Sequence, residues 1–328
     1  MSELALAVYA AETASHLLEL PRTARFAAFR ASFDEGAYRQ QLAEAGLRWV
    51  ARSDPGFPPQ LRAIHDPPPG LFVRGEADLS LLTRPSAAIV GARACSAYGA
   101  AVATALACEL ASAGVVVVSG LARGVDAAAH RGALDAGLTV AVLGCGIDRD
   151  YPRAHAQLAS RIALDGLILS EYAPGVEPMP WRFPARNRIV AGLARVTIVV
   201  EARERSGALI TADLALDEGR EVMVVPGEIT SHLSHGTNAL LRLGATPVTS
   251  AADVLEALGV EAAPPTPPRV VEPRLAAVHA AVVDAPAVVD DLIRRTGLGA
   301  GHVAAALAEL ELAGLVVQSA GLYRGVMA

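Results

Sequence analysis

Six short apolar runs along the middle of the chain stop abruptly, and each is followed by a turn and then a longer segment of helical period. They are Ala87–Val90 before Gly91, Val115–Val118 before Ser119-Gly120, Thr139–Leu143 before Gly144, Leu167–Ser170 before Glu171, Arg195–Glu201, and Glu221–Val225 before Pro226-Gly227. They are rich in Val, Ile and Leu and show little polar alternation, the pattern of strands buried on both faces of a parallel sheet. Strands alternating with Ala-rich helical segments predict an α/β class: an extended Rossmann-like, doubly wound sheet over residues 77–260. A ligand would then bind at the carboxyl ends of the strands.

The flanks read differently. Leu4–Leu20 and Phe26–Val50 carry helical period, interrupted by Pro21 and Gly36, and the proline-rich Ser53–Glu76 favours extended chain ending in a short strand at Leu71–Val73. This predicts a small N-terminal helical domain with a lead-in over 1–76. Glu261–Pro273 holds five prolines and reads as a stiff linker. Residues 274–328 read as helix, turn, helix and two short strands around Ser319–Gly321, a winged-helix domain. Its second helix, His302–Leu312, carries no arginine, and from Val270 to Ala328 there are four arginines against six acids. A helix that reads a DNA groove should be basic, so protein contact is expected of this domain ahead of duplex contact.

Two of the turns suit an anion. Gly91 and Gly120 let backbone approach a ligand, each turn opens a helix whose first N–H groups are unpaired, and each carries a cation, Arg93 or Arg123. From Arg182 to Arg205 there are six arginines and two acids, and WRFPARNRIV interleaves Trp181 and Phe183 with Arg182, Arg186 and Arg188. Arginines for phosphates and aromatic faces for bases are the chemistry of single-strand binding. A core Trp/Phe pair flanked by solvated arginines would give the same string.

Composition narrows the field. The net charge is −6 and all 28 basic Lys/Arg-type side chains are arginine. A Walker lysine and a Schiff-base lysine are therefore excluded, and a nucleic-acid site must be a local arginine stripe. Cys95, Cys108 and Cys145 form no C-x-x-C pair, which argues against a cysteine-based zinc cluster and a disulfide framework and fits a reducing cytoplasm. No segment has the length and apolarity of a membrane span, and the N-terminus lacks the basic start of a signal peptide. VGARACSAYG lacks the third glycine of a dinucleotide fingerprint. His232 and His235 have no accompanying carboxylates for a metal, and His130 sits among alanines as a packed helical residue would.

The motifs taken together resemble the DNA-processing protein A (DprA/Smf) family. They are PGFPPQL with DPPPGLFVRG, VGARACSAYG, SGLARGVDAAAH, the Gly144–Tyr151 turn, FPARNRIVAGL, VVEARERSGALITA and PGEITSHLSHGTNALLRLGA, in that order over nearly the whole chain. The resemblance implies a protein that binds single-stranded DNA, protects incoming strands in natural transformation, helps load the RecA recombinase and forms a homodimer through the Rossmann-like domain. It implies no catalytic step and no cofactor. The family's phosphate pocket falls on Gly91, Arg93 and Ser96, with Ser119, Gly120 and Gly124 from the second loop. Its FPxRN motif falls on Phe183, Pro184, Arg186 and Asn187, with Arg188 beside it, and its ExxxRSG motif on Glu201, Arg205, Ser206 and Gly207. Arg123 and Arg203 stand where some members have lysines, so charge is kept and donor geometry changes. Phosphates would be paired by Arg93, Arg123, Arg186 and Arg203, and bases would stack on Phe183 or Trp181. A competing class is a nucleotide-cleaving phosphoribohydrolase of the LOG-like type on a related fold, whose PGGxGTxxE motif supplies a glutamate. Here PGEITSHLSHGTNALL has Asn238 and Leu241 where that acid is needed, leaving Asp126 and Glu201 as carboxylates near the cleft. An interaction scaffold remains a second role.

Overall fold

A computed structural model describes residues 2–13, 23–261, 272–319 and 321–325. The N-terminal segment forms α1 (Glu3–Thr13), α2 (Ala24–Ser32), α3 (Glu35–Glu44), β1 (Leu47–Ala51), the single turn α4 (Pro59–Arg62) and β2 (Gly70–Arg74). The α/β body follows: β3 (Ser86–Val90), α5 (Ala97–Ser112), β4 (Val116–Ser119), α6 (Val125–Leu134), β5 (Thr139–Leu143), α7 (Ala156–Asp165) and β6 (Leu167–Ser170). It continues with α8 (Arg182–Leu193), β7 (Val196–Val199), α9 (Gly207–Asp217), β8 (Glu221–Val224), α10 (His235–Arg242), β9 (Thr246–Pro247) and α11 (Ala251–Leu258). The C-terminal segment is α12 (Pro273–Asp284), α13 (Val289–Thr296), α14 (Ala300–Leu312), β10 (Val316–Ser319) and β11 (Leu322–Gly325).

The strands of the body and the N-terminal segment make one nine-stranded sheet in the order β1-β2-β6-β5-β4-β3-β7-β8-β9. From β3 the chain winds outward through β4, β5 and β6, then crosses back to lay β7, β8 and β9 on the other side of β3. All these neighbours pair in parallel. The reversal between β3 and β7 is a topological switch point, where loops on the two sides of the sheet diverge and leave a crevice.

The N-terminal segment differs from the separate helical domain expected over 1–76. β2 pairs antiparallel with β6, and β1 with β2, so both strands extend the main sheet. The helical period read through Val50 ends at Glu44, because Leu47–Ala51 pairs with Gly70–Arg74 and Trp49 packs on Phe72, ring centroids 4.5 Å apart. Sheet pairing and burial override the local period. Residues 14–22 of the expected first helix and its break, 262–271 of the linker, and Ala320 in the final turn lie outside the described residues.

Strand alternation divides the core between the faces. Ala88, Val90, Val116, Val118, Val140 and Val142 meet Ile189 and Leu193 of α8 and Ala208 and Ala212 of α9. Ala87, Ile89 and Val117 meet Ala103 and Leu110 of α5 and Ala129 of α6 on the other face. The high alanine content thus serves helices lying close on an apolar sheet. The winged-helix segment has its own core of Val278, Leu292, Val303 and Leu310. It meets the body where Arg324 on β11 donates to Glu228 at 3.2 Å and lies over the Tyr98 ring of α5.

Arg188 fixes α8 to the sheet. Its guanidinium donates to both carboxylate oxygens of Glu171, at 2.8 and 2.7 Å, and to Asp66 at 3.0 Å. Burial works against its charged form, but Glu171 and Asp66 outweigh that and raise its pKa. Arg188 is one of the residues expected at the nucleic-acid site; in the structure its donors meet the two carboxylates and the carbonyls of Asp66 and Ala185. The Glu171 side chain is only 3% exposed. Arg188→Ala would leave that charge unpaired and should cost about 3–5 kcal/mol of unfolding free energy in urea denaturation. Arg188→Lys should restore only part of it, because an ammonium cannot grip the carboxylate through two parallel donors.

His130 on α6 is fully buried, with Nδ1 2.8 Å from the Thr139 hydroxyl of β5. Burial, reinforced by Arg186, lowers its pKa to about 3. Between that value and about 6.5 the unfolded chain binds a proton here and the folded chain does not, so stability falls as pH drops through this window. The histidine should contribute a slope of up to about 1.4 kcal/mol per pH unit. His130→Gln should flatten the stability–pH curve between about pH 4 and 6, measured by denaturant titration at each pH.

Candidate nucleic-acid interface

A cavity of ≈ 440 Å³ opens at the switch point. Its floor and walls come from the carboxyl ends of three strands and from three helices, with Asp126 contributed by α6. The β3–α5 loop gives Gly91, Arg93 and Ala94, and the β4–α6 loop gives Gly120 and Ala122. The β7–α9 loop gives Arg203, Arg205 and Ser206, α9 opens with Gly207 and Ala208, and α8 gives Arg186, Asn187 and Val190. Two sequence regions about ninety residues apart therefore face each other because the chain crosses back beside β3.

Buried polar groups hold these loops in place. Arg186 is 4% exposed, and one of its nitrogens donates to the carbonyls of both Gly120 and Val142, at the ends of β4 and β5. Its Nε donates to Asn187 at 3.2 Å, and Asn187 in turn donates to the carbonyl of Gly207 at 3.3 Å, tying α8 to the first turn of α9. A Cβ on Gly120 would lie 2.4 Å from the Arg186 guanidinium, so glycine is what lets the loop sit on that side chain. Gly124 opens α6 at φ 77°, and a Cβ there would strike the carbonyl of Ala92 at 2.2 Å; it locks the two glycine loops together.

The two carboxylates near the cleft are committed to backbone. Asp126 accepts from the N–H groups of Gly120 and Ala122 at 3.1 and 3.3 Å. Burial pushes its pKa up, opposed by Arg186 and by these two bonds. Glu201 accepts from the Ser96 N–H at 2.9 Å and from the Ser96 hydroxyl. It thus sits at the start of α5, where Ser96 is the cap. Asn238 closes a two-way pair with the backbone of Gly227, at 3.0 and 3.3 Å. The position that would need an acid for base cleavage therefore ties a loop.

The structure brings together Gly91, Arg93, Gly120, Arg186, Asn187, Arg203, Arg205, Ser206 and Gly207 of the expected residues. Six others sit elsewhere. Ser96 caps α5. Ser119 is fully buried and donates to the Ile89 carbonyl at 2.7 Å, so its hydroxyl joins β4 to β3. Arg123 is exposed but outside the cavity wall, and Gly124 lies behind it. Phe183 stands at the margin, under the Arg93 guanidinium at 5.5 Å. Arg188 is bound to Glu171 and Asp66. Arg186 lines the cavity as expected, but most of its donors are spent on carbonyls and Asn187, so it holds the cleft and lends it charge. Arg93, Arg203 and Arg205 are exposed at the rim. Thr211, one turn into α9, completes the wall and was not legible as a site residue. Only its four-residue spacing from Gly207 on a helix opening at the cleft points to it.

Burial, with Glu201 nearby, raises the pKa of the Cys95 thiol. His232 and His235 contact each other, ring centroids 5.0 Å apart, and among the described residues no three His, Cys, Asp or Glu side chains converge to hold a metal ion. No helix among the described residues is long and apolar enough to cross a membrane.

Comparison with known proteins agrees with this architecture. Residues 48–259 match the family described as DNA recombination-mediator protein A, and residues 261–321 match the DprA winged helix domain. The chain is 49% identical over 207 residues to the DNA processing protein DprA of Streptococcus pneumoniae, covering 62% of this chain and 71% of that one. It is 41% identical over 280 residues to Protein Smf of Escherichia coli, covering 81% and 74% respectively. Among solved structures it resembles the S. pneumoniae DNA processing protein A, with TM-score 0.66 and 39% identity over 77% of this chain and 91% of that one. It also resembles the DNA processing protein A of Helicobacter pylori, described for its single-stranded DNA binding mode, with TM-score 0.58 and 34% identity over 64% and 95%. The nine-stranded body with its cleft at the β3–β7 switch, followed by a winged helix, belongs to the DNA recombination-mediator protein A (DprA) family.

Proposed function

We propose that this protein binds single-stranded DNA in the switch-point cleft. In this role it would act in DNA uptake and recombination, protecting incoming strands and passing them to the RecA recombinase. The observation that carries the reading is the set of guanidinium groups around one cavity: Arg93, Arg203 and Arg205 at the rim and Arg186 beneath. The N-terminus of α9, where Gly207 and Ala208 line the cavity, adds the positive end of the helix dipole, and the Ser206 hydroxyl accepts from the Ala208 N–H. In a chain of net charge −6 this is a local basic patch, as a phosphate backbone requires. Binding fits better than catalysis on a nucleotide, because Asp126, Glu201 and Asn238 are all engaged with the loops. The cavity is also of a size that holds one small ligand. A polymer would place one unit there and continue across the rim. The homodimer through the Rossmann-like domain and the transfer to RecA rest on family membership.

The test is anisotropy of labelled oligo-dT over a salt series. Each rim arginine that pairs a phosphate should add about 0.7 to the slope of log Kobs against log salt. Arg93→Ala, Arg203→Ala and Arg205→Ala should each lower the slope by that amount and leave the unfolding free energy within about 1 kcal/mol of wild type. Arg186→Ala should instead lose stability, because it strands Asp126 and two strand-end carbonyls. Unchanged slopes in all three rim variants would remove the cleft from the account of binding.

A further inference from the structure

The β5–α7 loop, residues 144–152, is a sequence motif that lines no part of the phosphate cleft. The structure ties it down at several points. Asp150 pairs with Arg74 of β2 at 2.6 Å, Asp148 accepts from the Gly175 N–H at 2.8 Å, and the Gly146 N–H donates to the Val176 carbonyl at 2.8 Å. Arg149 donates to the Gly175 carbonyl at 3.0 Å and pairs with Glu177 at 2.9 Å. Yet this well-fastened loop ends by presenting a large ring to solvent: Tyr151 is 43% exposed. The ring stacks on Phe183, centroids 5.3 Å apart and planes inclined 30°. Phe183 lies in turn under Arg93, which lines the phosphate cavity. Arg93, Phe183 and Tyr151 therefore form a continuous ladder from the cavity rim outward.

The ladder reassigns the roles of its rings. Phe183 is half-buried and already in contact with a guanidinium and an aromatic ring, so it is a support. The accessible aromatic surface on this path belongs to Tyr151. Trp181, 48% exposed with Arg182 over its ring at 5.0 Å, lies just before Phe183. A rigid ring held at fixed height beside a polyanion site costs little ordering on binding, and every base offers a π-face to it.

We infer that Tyr151 is a base-stacking residue. A nucleotide adjoining the one whose phosphate occupies the cleft places its base on the outward part of the Tyr151 ring, with Phe183 and Arg93 as backing. This inference rests on the single-strand reading of the cleft. It predicts that the strand leaves the cavity toward the carboxyl end of β5 and that the stacking is tolerant of base identity.

The experiment measures binding of oligo-dT and of an abasic oligonucleotide of the same length. The proteins are wild type, Tyr151→Leu, which keeps apolar bulk against Phe183, and Tyr151→Phe, which keeps the ring. Tyr151→Leu should weaken oligo-dT binding by about tenfold, leave abasic binding unchanged and keep the salt slope. Tyr151→Phe should bind oligo-dT within about twofold of wild type. If wild type binds oligo-dT and Tyr151→Leu binds it equally well, the stacking role is overturned and the phosphate cleft stands. If Tyr151→Leu loses both ligands equally, the ring only positions Phe183 and Arg93, which also overturns it. If wild type binds neither oligonucleotide, the single-strand reading itself fails.

Discussion

The buried guanidinium of Arg186 is the interaction on which the cleft depends. In a parallel sheet the last carbonyls of each strand have no further strand to meet, and at a switch point no helix covers them. Arg186 answers this by reaching down from α8 to donate to Gly120 beyond β4 and to Val142 in β5, while its neighbour Asn187 holds the first turn of α9. Two neighbouring side chains thereby tie α8 to the ends of β4 and β5 and to the start of α9. Arg186 also places a guanidinium under the cavity, where burial lowers its pKa and the Asp126 carboxylate nearby works against that loss of charge. A buried cation with fixed partners is a rigid source of field, so the exposed arginines above it need supply only the contacts that come and go with a ligand.

This division of labour explains why acids and arginines lie so close together without cancelling. Asp126 and Glu201 point into backbone N–H groups and set the shape of the two glycine loops. Glu171 holds Arg188 and so fixes the middle of α8. The rim arginines are left facing solvent. The winged-helix segment follows the opposite rule: its arginines engage acids, Arg274 with Glu309 and Arg324 with Glu228. Its surface is therefore less suited to a polyanion than the cleft is.

Much of the architecture was legible in the sequence because buried parallel strands leave an unambiguous mark. Thr139–Leu143 and Leu167–Ser170 read to the residue, and the glycine loops and the arginine stripe named the walls of the cleft. What failed did so for definite reasons. Leu47–Ala51 continues a helical period and becomes a strand only because Gly70–Arg74 lies beside it, a partner that the local pattern does not reveal. Arg186, Arg188 and the rim arginines look alike in a string. Only burial separates a clamp, an ion-pair anchor and the arginines left facing solvent at the rim. Ser96 and Ser119 carry the right chemistry for an anion and spend it inside the fold. Tyr151 shows the converse, since a ring one residue before a proline gives no hint that its loop is pinned on all sides and its face left open.

The central claim is that a single strand lies across the β3–β7 switch point. Photocrosslinking with oligo-dT carrying 5-iodo-deoxyuridine, followed by peptide mapping, tests it most directly. The account predicts crosslinks on peptides spanning residues 91–94, 120–123, 181–187 and 203–208, and on the loop carrying Tyr151. Crosslinks confined to the winged-helix residues 272–325, with the cleft peptides unmodified, would contradict it.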